Sequence, residues 1–375
     1  MPHIKRTFPG GNTSRGFYSF YNYIADPGAN KIFVIKGGPG VGKSTFMRKI
    51  AEEMVERGYD IELLHCSSDN GSLDGVYIPA IDVALIDGTA PHVVDPKNPG
   101  AVDEIIHLGD YWDESGMRAN KEHVLRLNRE VGRLFRRAYG YLAVAGILQK
   151  ELEVYYPEAE ALDIAGLNDH TRALVADLTV GVKPSGRAPR VRHLFATAIT
   201  PDGTVNYLET VVGPAKRKYI IRGPRGTGKE TMLRRLMEAV VGLGYDVEAY
   251  HCALDPDRIE HFLVPELSVA VITGTEPHFY KSKRGDTVIN TETFVDKTKI
   301  ARFQEEIEAA VEAYNRAIQT AVSFINRAKR AHDEMEQFYV PNMDFAAIEE
   351  RRQRTLRRIL DLAKERQQGQ PVTAE

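Results

Sequence analysis

The chain is poor in the features that would place it in an oxidising compartment or a membrane. Its 375 residues include only two cysteines, Cys66 and Cys252, too few for a disulfide framework and suited to a reducing environment. No run of about 20 apolar residues occurs, and the N-terminus carries no basic-then-apolar leader. The net charge of −3 gives no global pull toward nucleic acid or an anionic surface. These absences lead to the expectation of a soluble, cytoplasmic protein without a membrane or nucleic-acid partner. The rest is ordinary, 43% apolar and 27% charged, with length enough for two or three domains with real cores.

One stretch organises the chain. Gly37-Gly38-Pro39-Gly40-Val41-Gly42-Lys43-Ser44-Thr45 fits G-x-x-x-x-G-K-[ST]. A short apolar run, Ile32 to Ile35, precedes it as a buried strand would, and Thr45 to Arg57 reads as an amphipathic helix. Glycines let successive N–H groups turn inward into a concave nest for anionic oxygens. The positive end of the following helix adds to it. Gly38, Pro39, Gly40, Val41, Gly42, Lys43, Ser44 and Thr45 are therefore the candidate phosphate cradle. Lys43 reaches the β- and γ-phosphates as a point charge, and Ser44 offers a hydroxyl to Mg²⁺. Downstream, Val83-Ala84-Leu85-Ile86-Asp87 is an apolar strand ending in a carboxylate. Asp87 then lies at the sheet edge where ligands sit, placed to orient the metal. The residue after it is Gly88, so no second acid follows.

These residues resemble the P-loop NTPase superfamily. The resemblance implies a nucleoside triphosphate with Mg²⁺, Lys43 and Asp87 in catalytic roles, and Ser44 and Asp87 on the metal. No N-K-x-D-like stretch that would read guanine is present, which makes ATP the expected nucleotide. By analogy with small-molecule kinases of the superfamily, Asp69 could accept a proton from a substrate hydroxyl; the plainer reading is a turn-forming Asp.

The chain is written twice. A second loop, Gly223-Pro224-Arg225-Gly226-Thr227-Gly228-Lys229-Glu230-Thr231, places Lys229 186 residues after Lys43. At that offset Gly58-Tyr59-Asp60 matches Gly244-Tyr245-Asp246. His65-Cys66 matches His251-Cys252, and Pro91-His92 matches Pro277-His278. Gly226, Thr227, Gly228, Lys229, Glu230 and Thr231 are thus a second candidate cradle. Here Ser44 has become Glu230 and Asp87 has become Thr273, so this half is read as degenerate. Glu230 could itself bind the metal, or Thr231 could replace the serine hydroxyl. The expected fold is α/β: two tandem domains with mainly parallel sheets, residues 1–190 and 191–375, packed as an intramolecular pseudo-dimer. The full-length resemblance is to a prokaryotic group of tandem-duplicated P-loop ATPase-like proteins. It contributes fold and nucleotide but no reaction.

Each half begins with a candidate β-hairpin. In the first, a turn-rich Thr7–Ser14 leads to a strand over 17–24; in the second, 194–200 and 205–212 flank Pro201-Asp202-Gly203. Each half also carries a long helical hairpin, about 114–180 and about 294–366. Their coiled-coil-like seams run through Val124, Leu127, Val131, Leu134, Ala138, Tyr141 and on to Tyr155, and from Ile307 to Phe338. The arginines of the last helix are expected on a solvated face. Thr89 to Tyr111 could line a second-substrate or effector pocket beside the phosphate; the plainer reading is a connector wrapping the sheet edge.

His65-Cys66, His251-Cys252, His92 and His278 invite a metal or nucleophile reading. Adjacent strand residues face opposite ways, and no second Cys or close acidic partner completes a zinc pattern, so a structural role is expected. Three activities remain open: an ATPase, a kinase acting on a small molecule bound near Asp69 and His92, and a nucleotide-dependent sensor.

Overall fold

The computed structural model describes residues 2–90 and 93–369. Pro91 and His92, and with them the expectations placed on His92, lie outside the described residues.

The strands are β1 (Ile4–Thr7), β2 (Gly10–Thr13), β3 (Gly16–Ser19), β4 (Lys31–Lys36), β5 (Ile61–His65), β6 (Leu73–Ile78), β7 (Val83–Asp87), β8 (Asp103–His107), β9 (Val191–Leu194), β10 (Thr197–Thr200), β11 (Gly203–Asn206), β12 (Arg217–Arg222), β13 (Val247–His251), β14 (Ile259–Val264), β15 (Val269–Thr273) and β16 (Thr287–Asn290). The helices are α1 (Lys43–Glu56), α2 (Glu114–Ala119), α3 (Lys121–Glu158), α4 (Ile164–Thr179), α5 (Leu208–Val212), α6 (Lys229–Gly242), α7 (Lys297–Ile300), α8 (Gln304–Tyr339) and α9 (Phe345–Gly369).

Two six-stranded sheets carry the duplication. The first has the order β1-β5-β6-β7-β4-β8, and the second runs β9-β13-β14-β15-β12-β16. In each, five strands are parallel and one, β6 or β14, is antiparallel. Strands covered on both faces read as continuous apolar runs. Phe33, Val34 and Ile35 of β4 are fully buried accordingly, as are Ile220 and Ile221 of β12. β8 lies at the edge of the first sheet beside β4, so the stretch 89–111 contributes a strand as well as a connection. Both hairpins form, but shorter than expected. β2 occupies part of the stretch read as turn, β3 ends at Ser19, and α5 takes over after Asn206.

The chain forms two compact units. One comprises the residues up to Gly10, Ser19–Phe135 and the residues from Ile325 on; the other comprises Gly11–Tyr18 and Arg136–Phe324. Compact unit and sequence repeat therefore divide the chain differently. In the first unit, α1 buries Phe46, Met47, Ile50, Ala51 and Met54, the spacing of one helical face. The same core contains Ile348, Leu356, Ile359 and Ala363 of α9, so a helix of the second repeat closes the first repeat's sheet. In the second unit, Leu167, Leu174 and Leu178 of α4 join Leu233 and Leu236 of α6 in the core; a helix of the first repeat closes the second repeat's sheet.

The long helices pair within each unit. In the first, His123 stacks on Phe338 and Arg126 bonds Glu334; in the second, Tyr141 stacks on Phe324 and Tyr155 packs on Phe303. The seam departs from the expected one at one place. Leu142 is fully buried and Tyr141 is 40% exposed, because the step after Ala138 spans four residues instead of three. Three arginines of α9 are tied to acids, while Arg354 and Arg357 lie exposed, as expected of a solvated face. Arg351 and Arg358 bond Glu104, and Arg352 bonds Glu349. Among the described residues no helix is long and apolar enough to cross a membrane.

Candidate functional site

The first glycine loop joins the C-terminal end of β4 to the N-terminus of α1. Gly42 caps α1 with φ 88°, a left-handed conformation that a side chain would strain. Val41 turns into the core with no exposure, leaving only its backbone to the loop, while Thr45 is exposed. Lys43 Nζ folds back on the carbonyls of Gly37 and Gly38, 2.8 Å from each. It lies 3.7 Å from Asp87 Oδ2, because β7 pairs directly with β4 and sets Asp87 opposite Ile35. Asp87 Oδ1 accepts the N–H of Thr89 at 2.9 Å. Ser44 Oγ accepts the N–H of Leu73 at 2.9 Å. Loop, lysine, hydroxyl and carboxylate thus lie at one sheet edge.

The edge is more acidic than the sequence suggests. Asp74 on β6 is buried, bonded by Tyr21 Oη at 2.5 Å, and burial pushes its pKa up to about 6 against the pull of Tyr21, Cys66 and Lys43. Burial raises Asp87 as well, with Lys43 opposing. Asp69 accepts the hydroxyl of Ser72 at 2.8 Å and lies 3.5 Å from Lys329 Nζ.

The second repeat supplies a cover to this loop. Glu336 of α8 accepts the N–H of Gly40 at 3.1 Å. A Cβ at Gly38 would stand 2.6 Å from the Tyr339 ring, so only glycine admits this approach. His332, Asp333 and Glu336 bring ligand atoms within 4.8 Å of one another. Burial lowers the His332 pKa while Glu336 and Asp333 raise it.

The second glycine loop keeps the shape and changes the chemistry. Lys229 bonds the carbonyls of Gly223, at 2.7 Å, and Pro224. Burial pulls its pKa down to about 8, with Glu260 opposing and Arg258 and Arg225 assisting. Glu230 turns to Arg258, Oε2 to Nε 3.1 Å. Arg258 also bonds Glu153 and lies 3.6 Å from Glu260. Arg225 stacks on Tyr314, 4.8 Å from the ring centroid. Thr227 is buried and bonds Thr291 at 2.6 Å, and Thr231 is exposed. A Cβ at Gly226 would meet the backbone of Glu153, as one at Gly40 would meet Glu336. Glu153 and Glu336 are 183 residues apart, the offset of the helical repeats.

A cavity of 510 Å³ opens beside Lys229, Arg225 and Arg258. Its wall includes Cys252, Glu260 and His278, whose ligand atoms lie within 4.8 Å of one another. The expectation that no acid joins the histidines and cysteines is thereby overturned. Glu260 is eight residues from Cys252 and returns to it across the turn into antiparallel β14. His251 faces elsewhere, 2.8 Å from His193, and His65 bonds Asn70 O and Arg6; both imidazoles are pulled down to about 4, chiefly by burial. Burial pushes the Cys252 thiol up to about 11, unlike an activated nucleophile. The sequence carried one signal for the acid: Asp74 and Glu260 stand 186 residues apart. No family model, curated protein or solved structure matches the chain.

Proposed function

We propose that the chain binds a nucleoside triphosphate, ATP, with Mg²⁺ at the first glycine loop and hydrolyses it there, the second loop being a non-hydrolysing site. The observation that carries the reading is the meeting of Lys43, Ser44 and Asp87 at one sheet edge, with Lys43 Nζ 3.7 Å from Asp87 Oδ2. The loop N–H groups and the α1 terminus bind the phosphates, Lys43 neutralises their charge, and Ser44 and Asp87 hold the cation. Glu336 supplies the carboxylate that the position after Asp87 lacks. Its contact with Gly40 N places it beside the phosphate cradle, where it can take a proton from attacking water. In the second loop Glu230 is committed to Arg258 and Thr273 replaces the carboxylate, which leaves phosphate binding without a metal-holding pair.

The test is MgATP binding by calorimetry on the full chain and on Lys43→Ala, with folding checked by circular dichroism. Lys43→Ala should lose most of its affinity while staying folded; unchanged affinity rejects the assignment. Phosphate release without an added acceptor separates hydrolysis from transfer to a small molecule.

A further inference from the structure

We infer that Cys252, Glu260 and His278 form a binding site for a zinc-like divalent cation in the second unit, with its open coordination position turned to the 510 Å³ cavity that the three residues line. Thiolate, imidazole and carboxylate together suit a borderline-soft ion such as Zn²⁺, and three protein ligands with one open position is the pattern of a reactive rather than a structural zinc. Cys252 is 5%, His278 3% and Glu260 9% exposed, so the donors are withdrawn from bulk water and meet at the cavity wall.

Geometry supports the assignment at three points. The ligand atoms lie within 4.8 Å of one another, and a tetrahedral ion at ordinary bond lengths needs about 3.3–3.8 Å. Modest side-chain rotation covers that difference. His278 Nδ1 lies 3.2 Å from the Thr197 hydroxyl, which fixes the ring and assigns ligation to Nε2, the arrangement usual for a metal-binding histidine. Lys229 is engaged on two loop carbonyls and Arg225 on Tyr314, whereas Arg258, which bonds Glu153 and Glu230, also lies 3.6 Å from Glu260 and would share that carboxylate with the ion. Thiolate and carboxylate supply two negative charges to one divalent ion.

A second line comes from the duplication. Cys66, Asp74 and His92 stand at the matching positions at the 186-residue offset, with Asp in place of Glu, and Cys66 hydrogen-bonds Asp74. Cysteine and acid therefore meet in both repeats. In the first repeat Tyr21 also bonds that acid, so the proposal is made for the second.

The experiment uses the full chain, stripped by chelator and titrated with Co²⁺ alone. One equivalent should give the visible bands of four-coordinate cobalt together with a near-ultraviolet thiolate charge-transfer band, and Zn²⁺ should displace both. Cys252→Ser should abolish the charge-transfer band. Glu260→Gln should keep that band while weakening binding, and Thr197→Val should weaken it roughly 10-fold or more. If Cys252→Ser does not fold, the wild-type spectrum and Glu260→Gln decide. Absence of a thiolate band in the wild type overturns the site, as does a band that survives Cys252→Ser and vanishes in Cys66→Ser. Neither readout depends on nucleotide turnover.

Discussion

The carboxylate of Glu336 accepts the backbone N–H of Gly40 at 3.1 Å, across 296 residues of chain. A carboxylate therefore rests on a group that, in the proposed function, belongs to phosphate. Both are anions competing for one donor, and two like charges about 4 Å apart cost roughly 1–4 kcal/mol between water and a protein surface. Glu336→Gln should bind MgATP several-fold more tightly and turn it over about 100-fold more slowly, in line with loss of a general base. Equilibrium binding and steady-state rates measured on the same preparation check this. Parallel loss of binding and rate, or no change in either, rejects the role.

The exchange of helices between repeats predicts where stability resides. Leu134 is 2% exposed within the first unit, on the seam that faces residues 325–339. Leu134→Asp buries a charge without a partner and should cost a few kcal/mol. Chemical denaturation measures it. Unchanged stability would make the stripe an exposed surface. Ile147→Asp, at a 69% exposed position of the same helix, is the control and should cost far less.

The sequence makes some of this readable and hides the rest for physical reasons. Loop, flanking strand and helix, and Asp87 are encoded within short windows, where periodicity and glycine placement act locally. The duplication is visible because its offset is constant. What stays hidden depends on distant contacts. A heptad seam says that a helix is buried but not against which sheet, so the packing of α9 on the first sheet and α4 on the second could not be read. Glu336 and Glu260 look like ordinary surface acids, and only tertiary contact brings one to Gly40 and the other to Cys252. β6 is not legible because Leu73–Ile78 contains Asp74 and Gly75, both poor strand formers.

Asp74 gives a pH signature. Its folded-state pKa is raised to about 6 by burial, above an ordinary unfolded value near 3.9. The folded state then holds its proton more tightly than the unfolded state. The resulting stabilisation is full below about pH 4 and is lost as pH rises through about 6. A shift of this size corresponds to roughly 2–3 kcal/mol. Asp74→Asn should lack that fall, so the stability difference between variant and parent should change across pH 4–6 and level off above. A pH-independent difference from denaturation midpoints would show that the pKa of Asp74 is not raised by folding.

The two glycine loops should prove unequal in chemistry while both retain an anion-binding shape. Lys43 and Lys229 make the same pair of carbonyl bonds, so the loops are built alike. They differ in what surrounds the lysine. Lys43 has Asp87 at 3.7 Å and Ser44 next to it in the first turn of α1. Lys229 has Thr273 in place of that carboxylate, Glu230 held by Arg258, and a pKa drawn down to about 8, chiefly by burial. Its charge is therefore partly lost above about pH 8, and phosphate binding at the second loop should weaken as pH rises from 7 to 9. Lys43→Ala should abolish turnover. Lys229→Ala should retain it, with at most an altered rate, because Glu230 and Thr273 stand there in place of Ser44 and Asp87. Turnover at pH 7 on the two variants, with binding followed from pH 7 to 9 in the Lys43→Ala background, tests both halves. Equal loss of chemistry in the two variants would reject the asymmetry, and pH-independent residual binding would reject the role given to the Lys229 charge.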